Sequence, residues 1–244
     1  LKDNGSYTTD TGGQGKESEI DYSNSNYIYS TYATTIMRSS NGGNSFFDIA
    51  GQGINGITES GAWVLPYILH ETDPNTLFAG YRNIWRTNNV RSGNPNFSKI
   101  SYSLGGSYNV DMRAFEQSPA DVCVLYASRY DETLFRSDDV NSSNPSWTDL
   151  TSNLPISGED VTDIEAHPTD PNTVYITMQT GVFKSTDKGA TWTDLTGSSP
   201  STIPINTIVY DTATNEGLYV GTEVSVFYRD ANKSDWEIYD ANLP

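Results

Sequence analysis

An aromatic returns along this 244-residue chain at a nearly constant distance: Phe46, Phe97, Trp147, Trp192 and Trp236, with gaps of 51, 50, 45 and 44 residues. Each follows a loop rich in Ser, Asp, Asn and Gly. A second set keeps step in front of it, Tyr29, Phe78, Tyr126, Tyr175 and Tyr219, each within a short β-branched or aliphatic run. A unit this short cannot bury its apolar face alone. It has to stack on copies of itself, as in radial or solenoidal β architectures.

The fourth unit shows the module most clearly. Val161 to Ala166 alternates with period two, and the turn 167–172 holds two prolines and Asx residues that favour tight reversal. Residues 173–177 and 181–185 read as second and third strands, and 191–195 as the fourth. The other units superpose on this one, and no segment has the period of a long amphipathic helix. The expected fold class is therefore all-β, a β-propeller of four-stranded blades. Five modules fall at approximately 17–50, 61–101, 108–150, 158–196 and 203–240, after a Gly-, Thr-, Asp- and Ser-rich segment, 1–16, read as a linker or the tail of a preceding blade. Five modules can close as a ring. The preferred expectation is that they are consecutive blades of a larger propeller, completed by the remainder of the same polypeptide or by another chain.

Charge narrows the partners. With 31 acidic and 14 basic residues the net charge is −17, and no basic stripe is available to neutralise phosphates, which argues against nucleic acid. No run approaches the ~20 apolar residues of a membrane-spanning helix, so membrane insertion is not expected. Cys123 is the sole cysteine; it allows no intrachain disulfide and reads as a small hydrophobe. The chain begins with Leu1, which reads as a processed or excised piece of a longer protein, secreted or cell-surface in keeping with its acidity.

The hairpin Ser185-Thr186-Asp187-Lys188-Gly189-Ala190-Thr191-Trp192 has a local logic. Asp187 can accept hydrogen bonds from the turn's backbone N–H groups, Gly189 supplies a left-handed conformation, and Trp192 covers the turn. Worn copies run from Ser39 to Phe46, and from Ser137 to Trp147 across an insertion at 140–145. The second and fifth modules keep the aromatic and read as having lost the turn.

On these residues the chain resembles the Asp-box (BNR-repeat) β-propellers over about residues 18–240. That group includes sialidases, xyloglucan-active glycoside hydrolases and the sortilin ectodomain. In such propellers the Asp-box lies at the periphery, so Ser185, Asp187, Gly189, Thr191 and Trp192 are implied to be structural. A narrower likeness, carried by Asp3-Asn4-Gly5-Ser6, by Gly61 to Tyr67 with Asp73 to Gly80, and by Asn242-Leu243-Pro244, is to large secreted Bacteroidetes proteins exported by type IX secretion. A sortilin-like peptide receptor is disfavoured by the absence of its disulfide-rich companion module.

A sialidase would need three converging arginines, a Tyr–Glu nucleophile pair and an acid Asp. Arg38, Arg86, Arg136 and Arg229, with Lys184 in the fourth module, instead fall at repeat-equivalent or nearly equivalent places and read as stems covering strand edges. The Phe/Tyr-Arg-Ile-Pro motif of sialidases is absent. Another glycosidase would need two carboxylates across a cleft. The weak catalytic candidates are Asp111, Glu116, Asp163 and Glu165 on the first strands, which line the channel in propellers; ordinary channel-lining residues are the plainer reading. His70 and His167 sit in matching turns with no second ligand at metal spacing, and the sequence calls for no metal or cofactor. Tyr81, Arg82, Arg113, Arg129 and Tyr130 are binding candidates: Tyr81-Arg82 and Arg129-Tyr130 follow second strands and would form a platform for sugar rings or a protein ligand. The function expected is a non-catalytic recognition or scaffold module for adhesion or glycan binding, with a polysaccharide-directed glycoside hydrolase as the alternative.

Overall fold

The computed structural model describes residues 15–102, 104, 109–198, 200 and 203–239. They form five four-stranded antiparallel sheets, each ordered as in the sequence. The first sheet holds β1 (Gly15–Ile20), β2 (Ile28–Tyr32), β3 (Thr35–Ser39) and β4 (Phe47–Ala50). The second holds β5 (Tyr67–Leu69), β6 (Leu77–Gly80), β7 (Ile84–Thr87) and β8 (Ser98–Lys99). In the third are β9 (Met112–Gln117), β10 (Leu125–Arg129), β11 (Thr133–Ser137) and β12 (Thr148–Asp149). The fourth comprises β13 (Val161–Ala166), β14 (Val174–Met178), β15 (Gly181–Ser185) and β16 (Thr193–Asp194). The fifth comprises β17 (Ile205–Asp211), β18 (Gly217–Thr222), β19 (Val226–Arg229) and β20 (Glu237–Ile238). β1 begins at Gly15, inside the segment expected to be a linker; the motifs Asp3-Asn4-Gly5-Ser6 and Asn242-Leu243-Pro244 lie outside the described residues.

The chain divides into two compact units, 1–100 and 101–244. In the first unit one core cluster joins both sheets, with Tyr29, Ile36, Ile49, Leu65, Tyr81 and Phe97 among its members. In the second unit, one cluster around Tyr126, Ile164, Ile176 and Phe183 joins the third and fourth sheets. Another around Tyr175, Ile208, Val220 and Trp236 joins the fourth and fifth. The core is thus a set of sheet-to-sheet layers, each sealed by large side chains worth about 1.5–3 kcal/mol apiece when fully buried.

Register explains which face does what. Tyr29 opposes Arg38, Phe78 opposes Arg86, Tyr126 opposes Arg136 and Tyr175 opposes Lys184. In the fifth sheet Tyr219 opposes Tyr228, and Arg229 opposes Leu218. Arg229 is therefore one residue out of step with the other basic side chains, and a one-residue step turns a side chain to the other face. Four second-strand aromatics are sealed, at 0%, 0%, 1% and 0% exposure for Tyr29, Phe78, Tyr126 and Tyr175. Tyr219 is only half-buried.

Candidate functional site

The first strands carry most of the acidic candidates, and their carboxylates meet backbone amides of the neighbouring sheet. Glu116 Oε1 accepts the N–H of Ala166 at 3.2 Å. Glu165 Oε1 accepts that of Tyr210 at 3.0 Å. Asp163 Oδ2 accepts the N–H of Ile208 at 3.0 Å and the hydroxyl of Thr207 at 2.6 Å, while Oδ1 accepts the N–H of Ile164 at 2.9 Å. Glu19, which sequence reasoning missed, does the same in the first unit, accepting Leu69 N–H at 2.9 Å. These four side chains project from one strand onto the N–H groups of the next, where an edge strand would otherwise leave donors without a ladder partner. Burial pushes the Asp163 carboxyl up in spite of the hydrogen bonds from Thr207, Ile208 and Ile164 that favour its charge. Asp111 precedes β9, and its backbone carbonyl accepts Tyr130 N–H at 3.2 Å.

The binding candidates separate. Tyr81 is fully buried and belongs to the core of the first unit. The segment before β5 lies against it so closely that a Cβ at Gly61 would stand 3.1 Å from Tyr81 Cδ1. The expectation of an exposed Tyr81 is therefore corrected by that packing. Arg82 follows β6 next to it; the adjacent Asn83 is held by Glu59, whose Oε2 accepts Asn83 N–H at 2.9 Å and Trp85 Nε1–H at 3.2 Å and whose Oε1 pairs with Lys99. Burial alone would raise the Glu59 carboxyl, but the Lys99, Asn83 and Trp85 hydrogen bonds outweigh it and hold it low. Arg129 is 3% exposed and pairs with Asp131 at 3.2 Å.

Arg113 and Tyr130 do come together. The guanidinium carbon of Arg113, on β9, lies 4.9 Å from the centroid of the Tyr130 ring, which follows β10. Arg113 Nη1 donates to Asp160 Oδ2 at 2.7 Å, and Asp160 Oδ1 accepts Glu132 N–H at 3.1 Å. Asp160 precedes β13, so the group bridges the third and fourth sheets. The Tyr130 ring is 45% exposed: one face rests on a cation while the ring stays open to solvent, a stacking surface with a fixed orientation. Asp160 had no sequence signal beyond its charge.

The hairpin at 185–192 is a closed hydrogen-bond bracket. Asp187 Oδ1 accepts Thr191 N–H at 2.8 Å and Ser185 Oγ–H at 2.8 Å, and Oδ2 accepts Thr191 Oγ1–H at 2.6 Å. Ser185 Oγ accepts Gly189 N–H at 2.8 Å. Lys188 and Gly189 both have positive φ, 58° and 85°, and Trp192 packs against the cluster joining the third and fourth sheets. The Thr191 hydroxyl and amide, then the Ser185 hydroxyl, hold the Asp187 carboxyl at about 2. The second module has not lost its turn, contrary to expectation: Asn89 Oδ1 accepts Thr87 Oγ1–H at 2.7 Å and Asn96 N–H at 2.9 Å, the same bracket over a longer loop. His70 and His167 likewise cap turns, each Nδ1 accepting two backbone N–H groups at 3.1 to 3.2 Å.

The basic side chains on third strands reach other sheets rather than only covering edges. Arg38 donates to the carbonyls of Val90 and Ser92. Arg136 donates to that of Lys188, and Lys184 pairs with Glu216. Arg229, on the opposite face, reaches back to the Leu195 carbonyl at 3.1 Å.

Solved structures share this geometry. An ancestral GH74 enzyme matches with a TM-score of 0.71 and 17% identity over 95% of this chain and 32% of its own. The GH74 xyloglucanase from Xanthomonas campestris matches at 0.66 and 14%, over 93% of this chain and 37% of its own. The extracellular domain of a one-component system from B. thetaiotaomicron matches at 0.62 and 11%, over 84% and 26%. The sheets are propeller blades. The chain spans about a third of the length of the two GH74 proteins, and at these identities the likeness shows the fold. No protein-family model and no curated protein matches the sequence.

Proposed function

We propose that the chain is a non-catalytic recognition or scaffold array of Asp-box propeller blades in a secreted or cell-surface protein, serving adhesion or glycan binding. One observation carries this reading: Glu116, Asp163 and Glu165 accept hydrogen bonds from the neighbouring blade's backbone amides. A general acid or nucleophile has to meet the substrate's glycosidic oxygen or anomeric carbon, whereas these groups meet peptide N–H. The Arg113–Tyr130 stack offers the surface for a glycan or protein ligand instead. The bacterial extracellular neighbour supports the location, and the phrasing of the sequence supports type IX export. No helix among the described residues is long and apolar enough to cross a membrane. On the outward side of the fifth blade Val209 and Tyr239 are 52% and 40% exposed, which supports a further blade packing there, from the same polypeptide or another chain.

A glycoside hydrolase is the second reading, favoured by the two GH74 neighbours. Incubation with xyloglucan, followed by mass spectrometry of released oligosaccharides, separates the two. Recognition predicts retention without shortening of the polymer. Time-dependent products that vanish in Asp163→Asn or Glu165→Gln would establish the hydrolase.

A further inference from the structure

The third blade has a second surface feature, away from the Arg113–Tyr130 stack. A cleft of about 400 Å³ opens at its outer strands, lined by Tyr102, Phe135, Asn144, Pro145, Trp147 and Asp149. Its parts come from the third blade's hairpin and last strand and from the segment that precedes its first strand. The hairpin at 140–145, equal in length to that of the second blade, brings Asn144 and Pro145 to the cleft, and Trp147 is half-buried there, as the equivalent Trp192 is in the fourth blade. Tyr102, in the segment after the second blade's last strand, is 66% exposed. Register places Asp149 opposite Phe135, so a carboxylate stands beside an apolar ring on the same sheet face. Its Oδ1 accepts Thr151 N–H at 2.8 Å, which fixes its orientation.

We propose that this cleft binds a neutral saccharide chain; the proposal rests on the recognition reading above. Sugar rings present an apolar C–H face and an equatorial rim of hydroxyls. Tyr102 and Trp147 offer flat apolar surface to the first, and Asp149 and the Asn144 amide offer acceptors and a donor to the second. Neither Lys nor Arg is among the described residues that line the cleft, and the chain carries a net charge of −17. Uronic and sialic acids would thus enter an acidic field with no cation to meet them, whereas a neutral glycan meets no such barrier.

Calorimetric titration with cellohexaose, mannohexaose and xylohexaose, and with oligogalacturonate as the acidic control, tests this. At least one neutral hexasaccharide binds saturably, and oligogalacturonate does not. Tyr102→Ala weakens binding about tenfold or more and Tyr102→Phe keeps it within about threefold, because one stacked ring carries an effect of that order, whereas Phe47→Ala, at a 65% exposed aromatic of the first blade, leaves it unchanged. The thermal midpoint of Tyr102→Ala stays at the wild-type value, since the ring is mostly in solvent. Failure of all three neutral sugars to bind, equal binding of oligogalacturonate, or indifference to Tyr102→Ala overturns the proposal. Glycan binding lost in Tyr130→Ala instead would move the site and spare the recognition reading. Shortening of the bound hexasaccharide would sink the recognition reading while leaving the cleft as a subsite.

Discussion

Arg136 Nη1 donates to the main-chain carbonyl of Lys188, 52 residues further on, at the left-handed tip of the next blade's hairpin. The same guanidinium holds Asp138 through Nε and Nη2, at 3.0 and 2.7 Å. One side chain thereby ties its own hairpin to its neighbour's. The repeat period that spaces the aromatics also spaces these ties: Arg38 and Lys184 act at the equivalent register positions.

Replacing Arg136 with Ala is expected to destabilise the protein by about 1–2 kcal/mol, the scale of a partly exposed charged hydrogen bond lost together with its geometry. Arg136→Lys should recover only part of this, because an ammonium cannot span Lys188 and Asp138 as a planar fork does. Urea unfolding monitored by tryptophan fluorescence reads both.

The Asp187 bracket predicts a defined acid sensitivity. Its carboxyl titrates at about 2 in the fold, below the value of an unrestrained Asp near 3.9. A carboxylate with a depressed folded pKa contributes stability that is present above the unfolded value and is lost as pH falls through the folded one. Wild type should therefore lose stability relative to Asp187→Asn between about pH 4 and pH 2, and the gap between their thermal midpoints should be constant above that window. Parallel melts from pH 7 to pH 2 test it.

Gly189→Ala adds a Cβ at a position with φ of 85°, 2.8 Å from Leu150 Cδ1. Backbone strain and the clash act together, and a loss exceeding about 1 kcal/mol is expected. Lys188→Gly at the adjacent left-handed residue should be neutral or slightly stabilising. Thermal melts of the two variants give opposite or clearly unequal shifts if the hairpin geometry is right.

Tyr130→Ala should cost about 1 kcal/mol or less, since the residue is 45% exposed and the substitution removes chiefly its contact with Arg113. Arg113 keeps Asp160 in that variant, so any ligand retained by the stacking surface is lost without unfolding. Retention of xyloglucan or of a captured protein ligand, compared between wild type and variant, is the readout.

The strands and their order were legible because period-two runs alternate with Gly- and Asx-rich turns and the aromatics recur in phase. The roles of side chains between blades were harder to see. A Glu at an outward position of a first strand, such as Glu116 or Glu165, has the same pattern whether it lines a channel or meets a neighbouring amide. Tyr81 reads as an exposed loop aromatic until the segment around Gly61 is folded onto it. Arg229 looks equivalent to Arg136, yet a one-residue difference in register turns it to the other face. The second hairpin is hidden in the sequence because Thr87 and Asn89 stand where the third has Ser137 and Asp139, although both brackets close seven positions on, at Asn96 and Ser146. Asp160 joins Arg113 only through the placement of two blades, and nothing local to either residue announces it.

The central claim is that the first-strand carboxylates hold neighbouring blades together rather than carry out chemistry. Native-state hydrogen exchange on wild type, Asp163→Ala and Glu165→Ala tests it at the atoms concerned. The account predicts that Asp163→Ala accelerates exchange at Ile208, that Glu165→Ala does so at Tyr210, and that each lowers global stability by about 1–3 kcal/mol through a donor left without its partner. Unchanged protection at both amides, with global stability intact, would contradict it and return these carboxylates to the search for an active site.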